Sequence, residues 1–248
     1  MAPPKTSSIR HTGFATAATH SVDHCVQRVN NDSFLCGTLR MAYRRSRQMA
    51  LRLSRNRVRI IEAARTLLAR GGYRGAPVTA IAQEAGISTG SVYRYFPSKS
   101  ALFVRVLGDA VRQELEVLRT ASAADGRSCG QRLSATVETF VRRALAGPRL
   151  AYSFIAEPAD PLVDRARIRY RRSFGKLVRA LLQEGVEAGE FADLNVDIAA
   201  ACIVGAFTEA LVGPLAPSAR RIEDKESLVT EICGFCLAGV TVRGRLFP

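Results

Sequence analysis

Between Val78 and Lys99 the segment VTAIAQEAGISTGSVYRYFPSK leaves the chain little choice of structure. Ile81, Ala82 and Ala85 have the spacing of one helical face. Gly86 follows where a helix ends and the backbone must pass through φ > 0. Ser88 or Thr89 then caps a second helix, on which Val92 and Phe96 lie four apart. Pro97 stops that helix, and Ser98 opens another with Lys99 in its first turn. Two helices this short need a partner to bury their apolar sides, and Ile60 to Leu68 supplies one just upstream. What stays outward is small, hydrogen-bonding or cationic: Thr89, Gly90, Ser91, Tyr93, Arg94 and Tyr95. Such groups suit the floor and walls of a DNA major groove.

Helical periodicity continues through the rest of the chain, and strand-like alternation is nowhere sustained. Ser54 is the expected N-cap of a helix running to about Arg70, stopped by Gly71-Gly72. Further helices are expected over 98–120, 131–145, 150–156, 162–188, 196–212 and 226–242, with loops at 122–128, 157–161 and 213–217. The fold class is all-α. An N-terminal three-helix helix-turn-helix domain (51–100) is followed by a C-terminal helical domain (101–248).

The pattern IAxxAGxSxGxxYxxFxxKxxL, carried by Ile81, Ala82, Ala85, Gly86, Ser88, Gly90, Tyr93, Phe96, Lys99 and Leu102, resembles the DNA-binding motif of the TetR/AcrR family of bacterial transcriptional regulators. The preceding Ile60 to Tyr73 looks like that family's first helix. The resemblance is strong over residues 54–105 and architectural beyond them. It implies base or phosphate contacts from Thr89, Ser91 and Arg94, and close backbone approach at Gly90. It also implies phosphate contacts from Thr79, Tyr93, Tyr95 and Lys99. One departure stands out: where the family commonly has Thr or Ser ahead of the opening valine, this chain has Ala76 and Pro77. Pro77 is acceptable at a first helical position, but Ala76 cannot cap through its side chain.

The same resemblance implies an effector pocket in the C-terminal domain, with Phe140, Tyr152, Phe154, Tyr170, Phe174 and Phe207 as lining candidates. Arg165, Arg169, Arg172, Lys176 and Arg179 make a cationic stripe along the helix expected at 162–188. The stripe is either a solvated face or the border of a pocket for an anionic ligand. Ile198 to Val212 is apolar nearly all round and rich in small residues, as expected of a helix buried on several sides. In the resembled family the last long helices pack against a second subunit, which implies a homodimer. The expected protein is a cytoplasmic, ligand-responsive repressor of a palindromic operator, with double-stranded DNA and a small-molecule effector as partners. An activator of the same fold, or a non-specific nucleic-acid-binding protein, is the alternative.

Charge distribution bears on that last alternative. The net charge is +14, and no acidic residue occurs from Ser33 to Ile61, whereas Arg40, Arg44, Arg45, Arg47, Arg52, Arg55, Arg57 and Arg59 do. Residues 1–50 are expected to be a disordered basic extension adding salt-dependent, sequence-independent DNA affinity, with Met41 or Met49 as alternative starts to Met1. They lack the apolar run of a signal peptide. No uncharged stretch reaches 18 apolar residues, so no membrane helix is expected.

Enzymatic chemistry is disfavoured, and no cofactor, catalytic or metal site is expected. All three histidines (His11, His20, His24) precede residue 25, leaving none for acid–base work in the helical part. The His20, His24, Cys25 grouping has metal-like spacing but falls in the extension. Cys233 and Cys236 form a CxxC in mid-helix without a second pair, so they are expected to be reduced core thiols.

Overall fold

Side chains start most of the helices. Ser88, Ser98, Ser128, Asp160, Asn195 and Asp224 each sit in an extended conformation and accept a hydrogen bond from a backbone N–H two or three residues on. Each thereby satisfies donors that the first helical turn leaves unpaired. Ser128 is half of a capping box, with the Gln131 side chain accepting from the Ser128 N–H.

The computed structural model describes residues 33–219 and 222–241, with side chains from residue 48 onward. Among these the helices are α1 (Ser33–Gly71), α2 (Val78–Glu84), α3 (Thr89–Tyr95), α4 (Lys99–Ala121), α5 (Cys129–Ala146), α6 (Pro148–Ile155), α7 (Pro161–Glu187), α8 (Val196–Glu209), α9 (Val212–Leu215) and α10 (Lys225–Ala238). Among the described residues no strand forms; Phe191 and Thr241 make an isolated antiparallel bridge. The fold is all-α.

The chain divides into two compact units, Met1–Arg55 and Asn56–Pro248. The second holds the helix-turn-helix and the C-terminal helices together, so the expected boundary at residue 100 falls at the head of α4 within one unit. One apolar cluster runs through it from Ile60 to Val240, with Phe207, Leu102, Leu133, Leu181 and Leu182 among its fully buried members. Burying each such side chain contributes about 1.5–3 kcal/mol. α7 packs on α8 and α4, and α10 packs on α5 and α8.

Several expected boundaries move. Ser54 caps nothing: it lies exposed inside α1, which starts 21 residues earlier at Ser33. The reason is compositional, since residues 38–70 contain neither Pro nor Gly and are rich in Leu, Met, Ala and Arg, all good helix formers. Residues 33–50, expected in a disordered arm, are therefore helical. Residues 1–32, with His11, His20, His24 and Cys25, lie outside the described residues. Pro77 occupies the N-cap of α2 rather than its first turn, and no side chain caps that helix. The helix expected over 196–212 stops at Glu209, and the loop expected after it begins as the short α9. By length and composition Val196–Leu215 is apolar enough to span a membrane. Here it breaks at Ala210–Leu211 and packs Ala200, Ile203, Val204 and Phe207 into the core.

Candidate nucleic-acid interface and effector cavity

The turn between α2 and α3 rests on Gly86, whose φ of +63° is left-handed. The conformation itself calls for glycine; a Cβ there would also lie 2.7 Å from the tip of the Arg59 side chain, which would have to swing aside. Ser88, not Thr89, caps α3: the Ser91 N–H donates to its Oγ at 3.2 Å, and the two hydroxyls share a 2.9 Å hydrogen bond. Val92 and Phe96 are 1% and 4% exposed, which fixes the face α3 turns inward.

The opposite face presents Gly90, Tyr93 and Arg94 to solvent, with Thr89 and Ser91 half-buried beside them and Thr79 exposed on α2. Tyr95 departs from expectation. Its hydroxyl is buried without a hydrogen-bond partner, so it is not presented for a phosphate contact. Position 95 lies on the flank of α3 nearer the core, where the side chain gains apolar burial. Lys99 is half-buried, its Nζ 4.2 Å above the Tyr73 ring. Burial pulls its pKa down and the charge of Glu157 opposes that pull. Arg57 and Arg59, not singled out by sequence, stand beside this surface, Arg57 over the Phe96 ring at 5.5 Å. Their only sequence signal was membership of the arginine run.

Behind this surface lies a cavity of about 420 Å³, walled by residues of α4, α5, α6 and α7, with Arg65 of α1 and Thr208 of α8. Phe140, Phe154, Tyr170 and Phe174 line it as expected. Tyr152 and Phe207 do not. α6 presents Leu150, Ala151, Phe154 and Ile155 to the space, which leaves Tyr152 off that face. Phe207 is 1% exposed, its ring 4.6 Å from that of Phe140, which lines the space.

The cations are not those expected. Arg165, Arg169, Arg172, Lys176 and Arg179 all face solvent, and none lines the cavity. Arg167 and Arg171 do, because the cavity side of α7 repeats through 167, 170, 171 and 174, on roughly the opposite side of the helix from the stripe. Arg143, also at the wall, pairs with Glu114 at 2.8 Å. Arg65 and Arg171 form no ion pair among the described residues.

Arg167 is committed to the backbone. Its Nε donates to the Phe154 carbonyl (3.1 Å), its Nη2 to those of Ser153 (2.7 Å) and Glu157 (2.6 Å), and its Nη1 to Asp164 (2.8 Å). Burial lowers its pKa, and Asp164 counters the loss. Glu157, in the loop that follows α6, accepts from the N–H groups of Tyr73 (2.7 Å) and Arg74 (3.3 Å) and from the Ser153 hydroxyl (2.7 Å). Burial alone would raise its carboxyl pKa. Those three hydrogen bonds and the charge of Arg149 outweigh it and hold the group below the usual carboxylate range. Glu157 passed for a loop residue in the sequence, where nothing marks it.

The cysteines of the CxxC lie buried inside α10, and burial pushes the Cys236 thiol up to about 11, far from a reactive thiolate.

An exposed recognition helix on a helix-turn-helix, joined to an all-helical domain with a cavity, defines a DNA-binding transcriptional regulator. The model of bacterial regulatory proteins of the tetR family matches residues 60–106, and that of the tetracyclin repressor-like C-terminal domain matches residues 126–211. The chain belongs to the TetR family. The HTH-type transcriptional repressor KstR2 of Rhodococcus jostii is 30% identical over 158 residues, covering 59% of this chain and 73% of KstR2. KstR of Mycobacterium tuberculosis is 30% identical over 140 residues, 54% of this chain, and the match spans 60% of KstR. FadR of Bacillus halodurans superposes with a TM-score of 0.64 at 23% identity, over 74% of this chain and 95% of that one. FadR of Bacillus subtilis, in complex with stearoyl-CoA, superposes with 0.60 at 20% identity, over 73% and 98%. At those identities the structures speak for the fold.

Proposed function

We propose that this chain is a homodimeric repressor that reads a palindromic operator with α3 and is released by a small molecule taken into the cavity. The observation carrying this reading is the pairing, within one compact unit, of a polar exposed ridge on α3 with an apolar-walled cavity of about 420 Å³. Thr89, Ser91 and Arg94 reach base edges or neighbouring phosphates, Gly90 allows close approach, and Tyr93, Thr79 and Lys99 meet phosphates.

One helix-turn-helix spans too few base pairs for useful specificity, so two are related by two-fold symmetry. α8 and α10 supply the surface for this. Ile198 is 62% and Phe235 72% exposed, among exposed Ala201, Cys202, Gly234 and Ala238. An apolar patch of this kind calls for a covering partner, and a second copy is that partner. The effector is an amphipathic acid: Leu107, Val111, Leu150 and the aromatics suit a long apolar body, while Arg65 and Arg171 suit an anionic head. Stearoyl-CoA in a FadR of the same fold supports that class, and the repressor names of the KstR relatives support the sign of regulation. Such a protein works in the cytoplasm, where its operator is.

In-vitro selection of the purified protein against random duplex DNA at roughly physiological salt tests this. Chains starting at Met1 and at Met49 are run side by side. The expected result is a palindrome bound about 10³-fold or more above random DNA by both, with binding weakened by stearoyl-CoA. DNA retention without an enriched sequence, lost when residues 1–48 are removed, would overturn the operator reading. It would favour a coating protein driven by the arginines of α1.

A further inference from the structure

The Gly71–Gly75 turn, which ends α1 and leads into α2, is gripped from the effector side by one carboxylate. Glu157 takes the N–H groups of Tyr73 and Arg74, and its oxygens come so close that a Cβ on Gly72 would stand 2.6 Å from Oε2. Gly72 also has φ +71°, so backbone and carboxylate are matched to each other. The loop carrying Glu157 is itself held by Arg167, which lines the cavity and donates to the carbonyls of Ser153, Phe154 and Glu157. A second line of contact runs parallel. Phe154, in the cavity wall, meets Phe103 edge-on at 5.8 Å; Phe103 meets Tyr73 at 5.0 Å; and Tyr73 carries Lys99 on its ring and Ser100 on its hydroxyl.

Resting on the regulator reading above, we propose that Glu157 and Arg167 are the positioning residues that transmit occupancy of the cavity to the helix-turn-helix. With the cavity empty, Arg167 holds the Glu157 loop, and Glu157 holds the turn from which α2 and α3 depart in their operator-binding setting. An anionic head drawn in by Arg65 and Arg171 also competes for the Arg167 guanidinium, which lines the same cavity. The carbonyls it held lose their donor, the loop shifts, and the two amides of the turn lose their acceptor. A packed two-position contact of this type is what coupling between sites requires.

The test needs no effector. Operator affinity, on the palindrome selected by the wild-type protein, is measured for Glu157→Gln, Arg167→Met and the double variant, with amide exchange at Tyr73 and Arg74 followed in each. Circular dichroism verifies folding, and Arg167→Lys replaces Arg167→Met if the latter does not fold. Each single change is expected to weaken operator binding about tenfold, within the range of measured site couplings. The double variant should be no weaker than either. Arg167→Met should speed exchange of the Tyr73 and Arg74 amides about tenfold although it touches neither. Losses that multiply to within about twofold, or amides unaffected by Arg167→Met, would overturn the relay. Failure of the wild-type protein to select any palindrome would instead overturn the regulator reading itself.

Discussion

The helix-turn-helix and the cavity-bearing helices differ in how tightly chemistry constrains sequence. Around α3 nearly every position answers to a fixed partner: duplex DNA has one groove geometry, so cap, glycine turn, buried pair and exposed polar ridge recur at set spacing. Around the cavity only the requirement for apolar volume is fixed, and any wall residue of suitable size meets it. The first kind of surface announces itself in a linear motif; the second has to be assembled in space from six helices.

Substitutions can break or sharpen that contrast. The largest expected effect is in the core shared by both halves. Phe207→Ala, at 1% exposure against the Phe140 ring, should cost about 3–5 kcal/mol in urea unfolding. It should enlarge the cavity behind Phe140 without altering α3. Loss of sequence selectivity in a variant that still folded would show that the two halves are not separable. Next comes Gly72→Ala, which forces a side chain into a left-handed position against Glu157. About 1–3 kcal/mol of strain is expected, seen as a lower melting temperature. Gly90→Ala is its counterpart on the DNA side. An added Cβ at Gly90 meets nothing within 4 Å, so stability should hold or rise slightly, by up to about 1 kcal/mol. Operator affinity should nonetheless fall.

A finer test separates two tyrosines. Tyr93→Phe should weaken operator binding severalfold by removing a phosphate donor. Tyr95→Phe should leave DNA binding unchanged and raise stability by about 1 kcal/mol, because it removes a buried hydroxyl that has no partner. Equal effects of the two in a filter-binding titration would reinstate Tyr95 as a DNA contact. Lys99→Ala should reduce the salt slope of binding by about 1.

The smallest effect is in pH. The Glu157 carboxyl lies below its ordinary range in the folded protein, so its contribution is present above the unfolded carboxylate value. It is lost as pH falls through the folded one. The melting temperatures of wild type and Glu157→Gln should therefore differ at pH 7 and converge below about pH 4. A gap that persisted in acid would mean the carboxylate charge was not what mattered.

How much could be seen in advance follows the same division. Helix class, the α2–α3 turn, the inward pair Val92 and Phe96 and most helix starts were legible because caps, glycines and periodicity are local signals. Tyr170 and Phe174 were legible as inward positions of one long helix, whereas Phe140 and Phe154 were named only through the family resemblance; Phe207 lies one layer deeper than the space itself. Arg167 and Arg171 were missed because one charge on an arginine-rich helix looks like the next, and only the rotation of α7 decides which ones face in. Ser54 misled for the opposite reason: a good capping residue does not end a helix when the residues before it favour helix as well.

The grip on the α1–α2 turn is made to main-chain N–H groups, with no side chain from the DNA-reading half taking part. Residues 73 and 74 are thus free, as far as that grip is concerned, to be almost anything but proline, while glycine is demanded at 72 by its φ of +71° and at 75 by the Gly71 backbone, whose carbonyl oxygen a Cβ would meet at 2.5 Å. On the relay proposed above, a helix-turn-helix of different operator preference would take the same grip if it kept those two glycines and the aromatic ring that Tyr73 sets against Phe103.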